Sequence, residues 1–119
     1  MSAARPWPSE VRLDKAKATL SIAFDSGEKF ALAAEYLRVE SPSAEVQGHS
    51  AGQKQIVAGK RDVKIEALEP VGNYAVRIRF DDGHDTGLFS WYYLHELGAT
   101  HDEKWKAYLS ALRSRKLER

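Results

Sequence analysis

Apolar and polar residues alternate through Thr19-Leu20-Ser21-Ile22-Ala23-Phe24, then through Val63-Lys64-Ile65-Glu66-Ala67-Leu68, and again through Tyr74-Ala75-Val76-Arg77-Ile78-Arg79-Phe80. A period of two puts every second side chain on one face, the signature of a half-buried strand. Two of these stretches run into the same phrase: Phe24-Asp25-Ser26-Gly27 and Phe80-Asp81-Asp82-Gly83. Each phrase reads as a hairpin turn in which glycine supplies the positive φ that a tight reversal needs. A return strand follows each turn, over 29–32 in the first copy, and then a short helix over 33–39 in the first and 91–97 in the second. Ser90 is placed to cap the second helix and Gly98 to stop it. The pattern therefore predicts one supersecondary unit used twice, with Leu32 and Tyr36-Leu37 answered by Leu88 and Trp91-Tyr92.

Around these units the signals are weaker. Val11-Arg12-Leu13 reads as a short strand, with a turn near Lys15 and Lys17 behind it. Pro70-Val71-Gly72-Asn73 reads as the turn into the strand over 74–80. Thr100-His101-Asp102-Glu103 has the form of a capping box, and Trp105, Leu109 and Leu112 then recur at helical spacing, so a last helix should lay one face on the sheet. The tail over 113–119 is expected to fray. Residues 40–61 carry no sustained apolar period and are rich in Ser, Gly, Ala and Gln, a connection longer than compact domains usually tolerate without a function or poor order. The expected fold is α+β: a small, mostly antiparallel sheet built from two related hairpin-helix units, with C-terminal helices packed on it. Residues 1–10 form a leader, 11–98 the domain, and 99–119 the C-terminal helix and tail.

Composition removes whole classes of chemistry. With 119 residues there is room for one core but not for a separate cofactor domain. No cysteine is present, which excludes disulfides, thiolate-ligated zinc and a cysteine nucleophile. A formal charge of +1 gives no global field to recruit a polyanion or a membrane surface. Neither a secretory signal nor a membrane-spanning apolar run is visible, so the cytoplasm is the expected compartment.

The motifs that suggest catalysis do not hold their context. Gly48-His49-Ser50-Ala51-Gly52 spells the nucleophile elbow, which requires a parallel strand before the serine and a helix after it; the pattern here supplies neither. Gly59-Lys60-Arg61 resembles the end of a phosphate loop, but Arg61 stands where a hydroxyl must reach magnesium, and Lys60 and Arg61 read as a solvated approach to the next strand. Of the histidines, His95 and His101 flank helix ends, where capping and solvent account for them. His84 follows a turn glycine beside Asp82 and Asp85; its bland reading is a surface turn residue. The basic residues Lys104, Lys106, Arg113, Arg115, Lys116 and Arg119 make a sparse face, for which weak nucleic-acid binding is an alternative function and not the favoured one.

Two longer phrases carry a resemblance. Tyr36-Leu37-Arg38-Val39-Glu40-Ser41-Pro42-Ser43-Ala44-Glu45 and the run from Gly72-Asn73-Tyr74 through Phe80-Asp81-Asp82-Gly83-His84-Asp85-Thr86-Gly87-Leu88-Phe89-Ser90-Trp91 resemble a small bacterial family of unknown function that is similar to the N-terminal domain of gamma-butyrobetaine hydroxylase. The resemblance implies an accessory domain and not the oxygenase itself. It implies an association with iron-sulfur or metallocofactor metabolism. In the hydroxylase such a domain holds a structural zinc through three cysteines and a histidine; laid on this chain, those positions fall on Ser41, Ser43, Val46 and His84. Zinc or iron is thus implied by the resemblance only, and no cofactor is expected from the residues present.

The function expected is a non-catalytic module that docks a protein partner through Arg38, Glu40, Ser41, Ser43, Glu45, His49, His84, Trp91 and Tyr92. The alternative is a metal-binding accessory protein using His84 with His49 and the carboxylates of Glu45 or Asp85. If the two units are related, His84 should reach Ser41 or Ser43, with the Gly48 to Gly52 loop flanking the spot and Arg38 and Trp91 at the rim of an exposed polar concavity.

Overall fold

The computed structural model describes residues 6–48 and 54–119. Two antiparallel three-stranded sheets form the framework: β1 (Pro8–Leu13), β2 (Thr19–Phe24) and β3 (Lys29–Ala33) in one, β4 (Ile65–Val71), β5 (Ala75–Phe80) and β6 (Leu88–Ser90) in the other, each in sequence order. Helix α1 (Ala34–Val39) follows the first sheet and α3 (Trp91–Ala99) the second; a short α2 (Ala44–Gln47) and the terminal α4 (His101–Ser114) complete the fold. The architecture is the α+β arrangement of two hairpin-helix units that the repeat predicts.

The alternation decides what is buried. Leu20, Ile22 and Phe24 from β2 and Ile78 and Phe80 from β5 join Tyr36, Leu37, Phe89, Leu94 and Leu97 in one core shared by both sheets. Each such side chain fully withdrawn from water contributes about 1.5–3 kcal/mol. The two turns have matching backbones: Gly27 and Gly83 take φ of 94° and 91°, and their N–H groups bond to the carbonyls of Phe24 and Phe80 at 2.9 and 3.1 Å.

Several local expectations are corrected. Strand β1 starts at Pro8, so the last residues assigned to a leader are part of the sheet; a bulge lies between Pro8 and Glu10. Pro70 lies inside β4 opposite Val76, and the reversal falls on Gly72, Asn73 and Tyr74 instead. The missing proline N–H is tolerated because β4 is an edge strand. Gly98 does not end α3 but sits within it, because a Cβ there would lie 2.4 Å from the Phe30 ring; only glycine lets the helix cross that ring. Ser90 does cap α3, its hydroxyl accepting from the Tyr93 N–H at 3.0 Å.

At the α3–α4 joint the Thr100 hydroxyl donates back to the Glu96 carbonyl at 2.7 Å and caps nothing in α4, so the capping box does not form. Nor does the tail fray. Helix α4 closes with Lys116 in the left-handed region at φ 56° and with the Leu117 N–H on the Leu112 carbonyl at 2.9 Å, the pattern of a Schellman stop. Arg119 is thereby brought to the buried Glu35, which it grips with two bonds of 2.8 and 3.1 Å. The region from 54 onward contributes to a second small core, where Ile56, Val57 and Ala58 pack with Val39, Tyr108 and Leu112. Among the described residues no helix is long and apolar enough to cross a membrane.

Candidate functional site

Helix α1 ends at Val39, and the chain then passes through Glu40, Ser41 and Ser43 into α2. This corner lies under the second hairpin turn. His84 turns inward there, only 5% exposed, and its Nε2 stands 2.9 Å from Ser41 Oγ and 3.4 Å from Ser43 Oγ. Its Nδ1 faces Glu45 Oε2 at 3.4 Å without hydrogen-bond geometry. Burial pushes the imidazole below its ordinary pKa and the Arg38 guanidinium adds to this, while Glu45 and Asp82 pull the other way without reversing it. The juxtaposition of His84 with both serines is the one the resemblance implies, but the residue is neither a surface turn histidine nor part of an exposed concavity. Ser41 has no exposed surface and Ser43 only 7%.

Asp82 is the electrostatic centre of this corner. One carboxylate oxygen takes Arg38 Nε at 2.8 Å and Lys60 Nζ at 2.6 Å, and the other accepts the His84 N–H at 3.1 Å. Burial alone would raise its pKa, but the bonds from Lys60, the His84 N–H and Arg38 outweigh it and hold the carboxyl down at about 2. Lys60 is therefore an ion-pair partner and not a solvated approach residue. Arg38 Nη1 is buried and has no hydrogen-bond partner among the described residues. Glu40, almost fully buried, receives Lys54 Nζ at 2.7 Å, and its carbonyl accepts the Tyr93 hydroxyl at 2.5 Å. Glu45 accepts from the Thr86 hydroxyl at 2.9 Å. His49 and most of the Gly48 to Gly52 loop lie outside the described residues.

The connectivity Ser41–His84–Glu45 has the order of an acyl-transfer triad. A nucleophile must meet a carbonyl, however, and Ser41 is sealed: a Cβ at Gly87 would stand 2.5 Å from its Oγ. A metal fares no better with this donor set. His84 offers one imidazole, Ser41 and Ser43 offer neutral hydroxyls and Val46 offers nothing, so these four positions do not fit zinc or iron. No group of three His, Cys, Asp or Glu side chains among the described residues could hold a metal ion.

Trp91 and Tyr92 belong to a different surface. Trp91 Nε1 donates to the Asn73 carbonyl at 3.1 Å, which fixes the indole beside Tyr74. With Pro6, Trp7, Tyr74, Ser90 and Tyr92 it lines a shallow cavity of about 290 Å³ that contains no charged side chain. Trp7, Tyr74 and Tyr92 are 47%, 57% and 66% exposed. Trp7, Tyr74, Lys60 and Asp82 are not marked as site residues by the sequence alone. The signal for Asp82 was available, since the corresponding position of the first unit holds the uncharged Ser26.

The family model described as gamma-butyrobetaine hydroxylase-like, N-terminal, matches residues 11–95. The chain belongs to this family. Among solved structures it is similar to a protein known by an NMR solution structure, at 44% identity over 98% of this chain and 91% of that one, with a TM-score of 0.83. A second NMR structure is 45% identical, over 100% of this chain and 90% of that one, with a TM-score of 0.82. A crystal structure of a DUF971 family protein of unknown function from Acidithiobacillus ferrooxidans is 39% identical over 77% of this chain and 92% of that one, with a TM-score of 0.65. No curated protein matches the chain.

Proposed function

We propose that this family member is a non-catalytic cytoplasmic docking module for a protein partner. The observation that carries the reading is the aromatic surface: three of the large hydrophobic side chains most exposed among the described residues, Trp7, Tyr74 and Tyr92, converge with Trp91 on one uncharged cavity. Water-exposed aromatics gathered from three separate segments are costly in isolation and are the residues that anchor interfaces. The buried corner of Arg38, Glu40, Ser41, Ser43, Glu45 and His84 has the supporting role of locking the second turn to the first unit. The association with iron-sulfur or metallocofactor metabolism is part of this proposal and rests on the family resemblance.

Neither alternative draws the same support. A metal-binding accessory role lacks a donor set among the described residues. Nucleic-acid binding through α4 and the tail after it loses Arg119 to Glu35, while Trp105 and Tyr108 pack inward. The test is capture of a partner from native cytoplasm by the wild-type chain, by Tyr74→Ala/Tyr92→Ala and by an Arg79→Ala control. Loss of the same captured protein in the aromatic variant alone supports the reading; equal capture by all three overturns it. Elemental analysis should find far less than one zinc or iron per chain, and melting should ignore chelator; a full equivalent of metal whose removal unfolds the chain would sink the non-metal reading.

A further inference from the structure

We propose that strand β1 is a self-complementary edge through which two copies of this chain pair antiparallel about Val11. The strand is the outermost of its sheet, hydrogen-bonded on one side only to β2. Ser9, Glu10, Val11 and Arg12 are all exposed, so nothing among the described residues covers the free side. An open strand edge of this kind is a template for another strand.

The sequence of the edge selects the occupant. In the register with β2, Val11 lies opposite Ile22 and so shares the core-side face, while Glu10 and Arg12 lie opposite Ala23 and Ser21 on the outer face. When a strand pairs with its own copy about a two-fold axis normal to the sheet, both copies keep their faces, and the axis must fall midway between one residue and the same residue of the other copy. Centring on Glu10 or on Arg12 sets like charge against like. Centring on Val11 sets each Glu10 opposite the other copy's Arg12, twice, and sets Val11 against Val11 on the apolar side. Within one strand Glu10 and Arg12 already form an ion pair at 2.5 Å, so the dimer joins two pairs into a network of four charges. Opposed charges across adjacent strands attract, and like charges repel. The bulge beside Pro8, and the N–H that proline lacks, limit pairing to the stretch from Ser9 to Leu13. The interface is therefore small and the dimer weak and salt-sensitive.

Sedimentation equilibrium over a concentration series at low salt tests this, with circular dichroism confirming that the exposed-site variants fold. The wild type should self-associate, and Glu10→Arg or Arg12→Glu alone should weaken association about tenfold or more, because each places like charges opposite twice. An equimolar mixture of those two variants, and the double exchange Glu10→Arg/Arg12→Glu, should each recover it. A wild type that stays monomeric overturns the proposal, as do single variants that associate like the wild type. Failure of the mixture to recover overturns the register. The docking reading survives each of these failures, since its aromatic residues are not in the paired stretch.

Discussion

The two hairpin turns are alike in backbone and opposite in chemistry. Gly27 and Gly83 reverse the chain at nearly the same φ, and each turn is closed by a bond from the preceding phenylalanine N–H, Phe24 to the Glu28 carbonyl at 2.8 Å and Phe80 to the His84 carbonyl at 2.9 Å. At the first turn Ser26 and Glu28 face solvent, and Glu28 meets His95 of α3 at 2.8 Å. At the second, the corresponding Asp82 and His84 are drawn inward among Arg38, Lys60, Ser41 and Ser43. The contacts are reciprocal: Arg38, four residues after the start of α1, reaches the second turn, and His95, four residues after the start of α3, reaches the first. The repeated phrase thus sets the path of the backbone, while the residues that differ between copies decide which turn carries polar chemistry into the interior.

The strongest way to break this comparison is to remove the charge that distinguishes the second turn. Asp82→Ala leaves Arg38 and Lys60 without their shared anion and should cost about 1.5–3 kcal/mol in urea denaturation, because hydrogen bonds to a charged group in a partly buried pair are lost. Ser26→Ala at the matching position should cost no more than about 0.5 kcal/mol, the usual range for a surface change. Equal losses would erase the asymmetry.

Acid provides the next test. The folded Asp82 carboxyl sits at about 2, below its ordinary 3.8, so the stability it contributes is fully present above pH 4 and is lost as pH falls from about 4 to 2. The loss should be absent in Asp82→Asn. His84 is also held below its ordinary 6.5, so the folded state resists its protonation and stability should begin to fall as pH drops below 6.5. His84→Gln should flatten that part of the profile; an unchanged slope would contradict a buried neutral imidazole.

The shared backbone makes a smaller prediction, of equality. Both glycines have open space where a Cβ would go, so Gly27→Ala and Gly83→Ala should each cost about 1 kcal/mol through left-handed strain alone. A clear difference in melting temperature between them would mean that the turns are not equivalent. Smallest of all, Glu28→Gln should leave the urea midpoint nearly unchanged, in keeping with an ion pair at the surface, and adding salt to the wild type should do no more.

How much of this was legible depends on the range of the signal. Alternation marked β2 and β5, and the two Phe-Asp-x-Gly phrases located both turns, because strand period and turn glycines are local properties. Pro70 and Gly98 misled for one reason: each has a local meaning, turn or helix stop, that a tertiary neighbour overrides. Pro70 is tolerated by an open edge, and Gly98 is required by the Phe30 ring. The docked tail was invisible, since nothing near Arg119 announces that Glu35, 84 positions earlier, is waiting buried. At the candidate site, the resemblance found His84 with Ser41 and Ser43, but burial could not be read from residue types that usually sit outside. The aromatic surface needed three-dimensional assembly of residues 6–7, 74 and 90–92.

The reciprocal contacts bear on how the chain folds. Each hairpin is local and can close in about 1–10 μs, but neither holds its final polar partners while alone. A first unit that collapsed early would carry Arg38 with no anion to meet it, and a second would offer Asp82 and His84 to water. Stability arrives only when the units dock, so a half-formed molecule gains little and the transition is expected to be all-or-none. The repeat makes the pieces quickly; the crossed pairs decide that they count only together.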